Sequence, residues 1–218
     1  MKSRVVLVVL AAGQGSRFGQ GGHKLSQKLG TSTVLGTTLA HALLSQLSVV
    51  VVTTAALVAL AELTVAATDV VVIAEAGGGA PPSKPQTTAS AGEARLGMGY
   101  SIAQGVLARP QASGWLILPG DMPMVQPHTL QAVAAQLEHH AVVYAQHLGR
   151  RGHPVGFSAE LYSELVNLQG DEGARRLVAR YPAHAVDVQD EGVLMDVDTP
   201  VDLEHARQSH AAIAMRTP

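Results

Sequence analysis

The chain contains no cysteine. Disulfides, thiolate zinc sites and iron–sulfur clusters are therefore excluded, and nothing in the composition requires an oxidising compartment. Aromatic residues are 3% of the 218 residues, as one Trp, four Tyr and two Phe, too few for a surface that stacks nucleic-acid bases. Charge of either sign is sparse and balanced: 15 Lys and Arg against 17 Asp and Glu give a formal net charge of −2. No overall field draws the protein to nucleic acid or anionic lipid. Long hydrophobic runs are also missing. No formal charge falls between Leu29 and Ala61, but Gly30, Gly36, His41 and Gln46 interrupt the span, so it lacks the roughly 18 consecutive apolar residues of a membrane helix. Lys2 and Arg4 precede the apolar run 5–12 as in a short signal-peptide core. The run is β-branched and leads at once into a glycine-rich loop, which reads as a buried strand feeding a ligand site. The expectation is a cytoplasmic protein with no membrane or nucleic-acid partner.

What is present is an Ala/Val/Leu-rich chain, 47% hydrophobic, of a length suited to one domain over 1–218. Apolar runs at 4–10, 48–52, 69–74, 115–118 and 141–145 read as strands. Between them, 34–47, 55–67, 99–108 and 127–137 read as helices, the last opening on Pro127. The final third is less regular, with strands expected at 154–157, 185–188 and 193–197, helices at 159–168 and 172–180, and a last helix after Pro200. Strands that are apolar throughout and separated by helices indicate an α/β fold, a mostly parallel sheet covered on both faces. The Gly/Pro/Ser/Thr-rich stretch 77–94 is either a mobile loop or a flap over a substrate.

The first strand runs into Ala11-Ala12-Gly13-Gln14-Gly15-Ser16-Arg17-Phe18-Gly19. Ligands of parallel α/β sheets bind at the C-terminal ends of the strands, where glycines let backbone N–H groups approach phosphate oxygens. The dinucleotide fingerprint fails, because Gly19 falls one place late and the second strand ends in Thr53-Thr54 without an acid. The Walker pattern fails too, since Lys24 stands between His23 and Leu25. What remains is a glycine loop with two cations, Arg17 and Lys24, a combination suited to a triphosphate.

Leu10-Ala-Ala-Gly-x-Gly-x-Arg17-Phe18-Gly19 followed by His23-Lys24-Leu25 resembles the signature of the MobA-like nucleotidyltransferases, and within them that of the molybdenum cofactor cytidylyltransferases. Four further segments carry the resemblance: Gly97-Met98-Gly99-Tyr100-Ser101, Leu118-Pro119-Gly120-Asp121-Met122-Pro123, Arg151-Gly152-His153-Pro154-Val155 and Gly170-Asp171-Glu172-Gly173-Ala174-Arg175. Asp196-Val197-Asp198-Thr199-Pro200 closes the pattern. The first and the Asp121 segments are shared by many nucleotidyltransferases; the Arg151 and Gly170 segments are more specific. The chain departs from the pattern at His23, where the family more often has Asp.

The resemblance implies a Rossmann-like three-layer fold and transfer of CMP from CTP to the phosphate of molybdopterin, with Mg²⁺, releasing pyrophosphate. It implies that Leu10, Ala11, Ala12, Gly13, Gly15, Arg17 and Lys24 bind nucleotide together with Gly97, Gly99, Ser101 and Asp121. Arg17, Lys24 and Asp121 would be catalytic, and Asp121 and Asp198 would hold the metal. Arg151, His153, Asp171 and Glu172 would face the acceptor. A molybdoenzyme or its maturation chaperone would take the product.

Each role has a plainer alternative. Arg17 and Lys24 are otherwise surface charges, Asp121 a turn aspartate, and Asp198 the N-cap of the last helix. Gly97, Gly99 and Ser101 are otherwise a simple helix start offering free N–H groups. Asp171 and Glu172 are otherwise acids that offset a helix dipole, and His139-His140 cations at a helix end. Lys28 competes with Lys24 for the phosphate role. Ala12 narrows the base pocket against a purine, but one methyl discriminates by only a few kcal/mol. Two other functions stay open: a superfamily member using GTP or another acceptor, and a non-catalytic carrier of the molybdenum cofactor.

Overall fold

A seven-stranded sheet organises the molecule, in the order β5-β4-β1-β6-β8-β7-β9. Its strands are β1 (Val6–Ala11), β4 (Ser48–Thr54), β5 (Val70–Ile73), β6 (Gly114–Pro119), β7 (Val142–His147), β8 (Arg150–Ser158) and β9 (Ala183–Asp187). β2 (Lys28–Leu29) and β3 (Ser32–Thr33) form a separate antiparallel hairpin that the sequence did not announce. The helices are α1 (Val34–Leu44), α2 (Val58–Glu62), α3 (Met98–Leu107), α4 (Pro127–Gln136), α5 (Tyr162–Leu165), α6 (Arg175–Arg180) and α7 (Pro200–Arg216). This computed structural model describes residues 5–13, 18, 22–73, 97–170 and 173–216, with side chains to 212. The candidate residues Gly15, Arg17, Asp171 and Glu172 and the stretch 77–94 lie outside the described residues.

The sheet is mostly parallel, as its apolar strands required. β8 alone runs against its neighbours β6 and β7. Strand alternation divides the core between two faces. Leu7, Val9, Val49, Val51, Leu116 and Leu118 pack with Leu35 and Leu39 of α1, Leu130 and Val133 of α4 and Leu203 of α7. Val6, Val8, Val50, Val52, Trp115 and Ile117 pack with Ile102 and Val106 of α3 and Leu165 of α5. Helices on both faces explain why the central strands carry continuous apolar runs, such as 49–52 in β4.

Several elements differ from the sequence expectation. The helix expected at 55–67 is a 3-10 turn, Ala55–Leu57, followed by the short α2; β-branched Thr64 and Val65 are poor continuers of a helix. The helix expected at 159–168 likewise splits into a 3-10 turn and α5. β8 begins four residues before the expected 154, because its polar start Arg150-Arg151-Gly152-His153 carries no apolar signal. It is joined to β7 by Leu148 and Gly149, both with positive φ (49° and 74°), between the paired His147 and Arg150. That is the twist a two-residue hairpin needs. No strand forms at 193–197. Glu191–Leu194 is a 3-10 turn closed by Asp190, whose carboxylate accepts the Gly192 N–H at 3.0 Å. The apolar residues there reach the core without joining a ladder.

Candidate active site

Of the candidate residues, the C-terminal ends of β1 and β6 carry Leu10, Ala11, Ala12, Gly13 and Asp121. β1 ends at Ala11 beside Thr53, whose hydroxyl donates to the Ala11 carbonyl at 3.2 Å. The chain then passes to half-buried Ala12 and exposed Gly13. The Gly13 carbonyl is 2.8 Å from His23 Nε2, and the Leu25 N–H donates to His23 Nδ1 at 3.2 Å. With Nδ1 accepting, the ring proton lies on Nε2 and is donated to Gly13. His23 thus caps the 3-10 turn Lys24–Ser26, which is the hydrogen-bonding task an aspartate would perform there.

That turn aims Lys24 at two carboxylates. Its Nζ donates to Asp121 Oδ2 and, at 2.5 Å, to Asp198 Oδ1. The three side chains are 13%, 15% and 32% exposed, so the cluster is enclosed but still reachable from solvent. Lys28 is exposed in β2, so Lys24 alone of the two joins the site.

Asp121 follows β6 in a loop held at both ends by α1. The Thr38 hydroxyl donates to the Gly120 carbonyl at 3.0 Å, and His41 Nδ1 donates to the Val125 carbonyl at 3.0 Å. The Gly120 N–H donates to Leu10 O at 2.8 Å, which fixes the loop to the first strand.

Asp198 is not the cap of α7. Thr199 and Asp202 form a reciprocal capping box: the Asp202 carboxylate accepts the Thr199 N–H at 2.7 Å, and the Asp202 N–H donates to Thr199 Oγ1 at 3.3 Å. Pro200 then occupies the first helical position, where its missing N–H is harmless. The Asp198 side chain is left to the site. Its neighbour Val197 is buried and donates its N–H to the Asp121 carbonyl at 2.9 Å, joining the two carboxylate-bearing segments.

Asp196, quoted in the motif but given no role from the sequence, belongs to this cluster through its charge. Burial first, and then the fields of Asp196 and Asp198, outweigh the attraction of Lys24 and raise the Asp121 carboxyl above its ordinary range. Lys24 itself is pushed down by burial but more strongly up by Asp121 and Asp198, for a net rise. Asp121 and Asp198 share one ammonium, and Asp196 adds a further negative field at Asp121. Among the described residues, Asp121 Oδ1 is buried with no hydrogen-bond partner. A magnesium ion fits this donor set, since it takes one or two carboxylates and completes its shell with phosphates and water. Among the described residues no group of three or more His, Asp or Glu side chains is arranged to hold a metal unaided.

The two described acceptor candidates, Arg151 and His153, lie on β8. Arg151 stands over the Tyr144 ring, 4.7 Å from its centroid. Burial first, then Arg151, lower the His153 pKa against the opposing pull of Asp196, so His153 is held neutral. Asp196 thereby acts electrostatically on both His153 and the Asp121 carboxylate of the Lys24 cluster.

The start of α3 differs from expectation. Gly97 caps the helix at φ 106°, a region that favours glycine. The Gly99 N–H is not free, because it donates to the Gly170 carbonyl at 2.8 Å. A Cβ on Gly99 would lie 2.7 Å from Gln169 O, so this glycine admits the 169–170 turn against the helix. The buried Ser101 hydroxyl bonds back to Gly97 O at 3.2 Å. The His139 and His140 N–H groups both donate to the Gln136 carbonyl at 3.1 Å and so end α4, while the His140 ring stacks on His184 with ring centroids 3.9 Å apart. Partial burial, then His184 and His139, lower its pKa.

The matching family is decisive: residues 7–186 match the MobA-like NTP transferase domain. The chain belongs to that family. It is 34% identical over 122 residues to the purine catabolism protein PucB of Bacillus subtilis, a match covering 54% of this chain and 59% of PucB. The chain therefore spans less than two thirds of that curated relative. Among solved structures, a homologue of Rv0371c from Mycobacterium sp. strain JC1 is 27% identical with a TM-score of 0.79, covering 98% of this chain and all of that one. Rv0371c of Mycobacterium tuberculosis, solved as a complex with manganese, is 28% identical with a TM-score of 0.70, covering 95% of this chain and 100% of its own. Among the described residues no helix is long and apolar enough to cross a membrane.

Proposed function

We propose that this protein is a nucleotidyltransferase that moves CMP from CTP to the phosphate of the molybdopterin cofactor. The observation that carries the transfer chemistry is the Lys24 ammonium shared by Asp121 and Asp198 beside the unpartnered Asp121 Oδ1. The choice of acceptor and base rests on the Arg151-Gly-His-Pro and Gly170-Asp-Glu-Gly segments and on Ala12. That a relative as similar as Rv0371c crystallises with manganese supports a divalent ion in the same family.

The acceptor phosphate is ionised near neutrality and attacks the α-phosphorus of CTP. The bond from that phosphorus to the bridging oxygen breaks, and pyrophosphate leaves with the electron pair. No general base is required. The obstacle is the meeting of two polyanions. Asp121 and Asp198 would hold Mg²⁺, which neutralises charge at the α-phosphate when bound. Lys24 then shifts its ammonium from the carboxylates to the triphosphate, joined by Arg17 from the glycine loop, and both stabilise the leaving pyrophosphate. Gly13 and its neighbours seat the phosphates and Ala12 narrows the base pocket. Arg151 and neutral His153 receive the pterin phosphate and its ring, with Asp171 and Glu172 as hydrogen-bonding partners of the ring. The product would pass to a molybdoenzyme or its maturation chaperone.

The test is to incubate the purified protein with molybdenum cofactor, Mg²⁺ and each nucleoside triphosphate in turn, measuring pyrophosphate. Release with CTP is expected. Release with GTP and none with CTP overturns the base assignment, and cofactor binding without any release favours a carrier.

A further inference from the structure

Among the described residues, Asp190 is the only Asp, Glu, Lys or Arg that is buried, with 6% exposure. A buried carboxylate is costly unless its oxygens are well bonded. Here both are, and their three partners are neutral donors from two different segments. Oδ2 accepts the Gln126 N–H at 2.9 Å and the Thr129 hydroxyl at 2.6 Å. Oδ1 accepts the Gly192 N–H at 3.0 Å.

The first two donors lie at the start of α4. Gln126 is the N-cap of that helix and makes no side-chain cap bond. The cap comes instead from Asp190, and the helix dipole favours a negative charge at that end. The third donor lies in Asp190's own segment. One carboxylate therefore ties segment 190–198, which carries Asp198, to loop 120–126, which carries Asp121. Two other contacts run along the same seam. A Cβ on Gly192 would lie 2.3 Å from Met124 O, so the two backbones touch. At the far end, the Val197 N–H donates to Asp121 O at 2.9 Å. On the opposite side, His41 from α1 bonds Val125 O and feels the Asp190 charge.

We infer that Asp190 is a positioning residue for the two-aspartate site: it locks the Asp198 segment onto the Asp121 loop and so sets the relation of the two carboxylates. The inference rests on the proposed metal role of those aspartates. An amide at 190 would keep the shape but offer one acceptor oxygen where the carboxylate offers two. It would release either the α4 side or the Gly192 side. Loss of a supporting hydrogen bond behind metal ligands typically weakens binding by about 10–100-fold.

The experiment is an electron paramagnetic resonance titration of Mn²⁺, with and without CTP, on wild type, Asp190→Asn, Thr129→Val and Leu130→Ala, with Tm measured for each. Leu130 is fully buried in α4 and touches neither aspartate segment through these bonds. It reports what lost stability alone does. Asp190→Asn is expected to bind Mn²⁺ about tenfold more weakly, and Thr129→Val to weaken it in the same direction by less. Leu130→Ala should keep wild-type affinity at an equal or lower Tm. Wild-type affinity in Asp190→Asn overturns the inference, as does an equal loss in Leu130→Ala. If Asp190→Asn does not fold, Thr129→Val decides, and unchanged affinity there overturns it. A wild-type protein that binds no Mn²⁺ with CTP overturns the metal reading and this inference with it. Binding by wild type and Asp190→Asn alike overturns the inference alone.

Discussion

The Lys24 ammonium lies 2.5 Å from Asp198 Oδ1 while also bonding Asp121, so one cation from the first loop closes the two segments that bear the carboxylates. A divalent ion held by the same carboxylates, as proposed above, would compete with this ammonium for their oxygens. Lys24→Met should therefore bind Mn²⁺ more tightly than wild type in the absence of nucleotide, by about tenfold, equivalent to about 1.4 kcal/mol. The same variant should lose about 100-fold or more in pyrophosphate release, because the leaving group loses a fixed cation. Equal Mn²⁺ affinity in the two proteins would show that Lys24 and the metal do not compete.

Asp121→Asn should separate chemistry from folding. Burial and the neighbouring Asp196 and Asp198 already disfavour the ionised form in the native state, so a neutral amide of the same shape should leave Tm unchanged or slightly higher. Pyrophosphate release should fall by about 100–1,000-fold. A large drop in Tm with activity retained would place Asp121 in the scaffold instead.

Ala12 sits half-buried directly after the first strand, at the C-terminal edge of the sheet. Ala12→Gly should shift the ratio of CTP to GTP turnover toward GTP by about tenfold, within the range a single methyl can supply. An unchanged ratio removes Ala12 from base selection.

Gly99→Ala forces a Cβ to within 2.7 Å of the Gln169 carbonyl. The 169–170 turn must then move off α3, and the Gly99–Gly170 hydrogen bond must lengthen. A stability loss of about 1–3 kcal/mol is expected from denaturant unfolding. Wild-type stability would mean that the turn yields without cost.

His41 gives the fold a pH dependence of definite sign. Burial lowers its pKa, and His210 lowers it further, against the opposing influence of the Val125 and Pro123 carbonyls and of Asp190. The unfolded chain therefore binds a proton that the native site resists. This contribution to stability is complete above the ordinary histidine range near 6.5 and is lost as pH falls below it. His41→Gln should flatten the decline in Tm between about pH 7 and pH 5. A decline as steep as that of wild type would assign it to other groups.

Much of this protein is determined by local sequence. Runs as continuously apolar as Val6–Ala11 and 49–52 are buried on both faces, so the parallel sheet followed from them. The family signature pointed to Lys24, Asp121 and Asp198, which the fold brings together. Tertiary structure decided what periodicity does not encode. The polar start of β8 became a strand because β7 offered a partner. The apolar residues at 193–197 gave no strand, because Asp190 turned that segment into contact with the Asp121 loop. Whether Asp198 capped a helix or entered the site depended on Thr199 and Asp202 completing the cap between themselves. The family position favoured Lys24 over Lys28, and the fold then brought that one ammonium to two distant carboxylates. Strand and helix signals are local properties of the chain, whereas the pairing of charges is a property of the space it encloses.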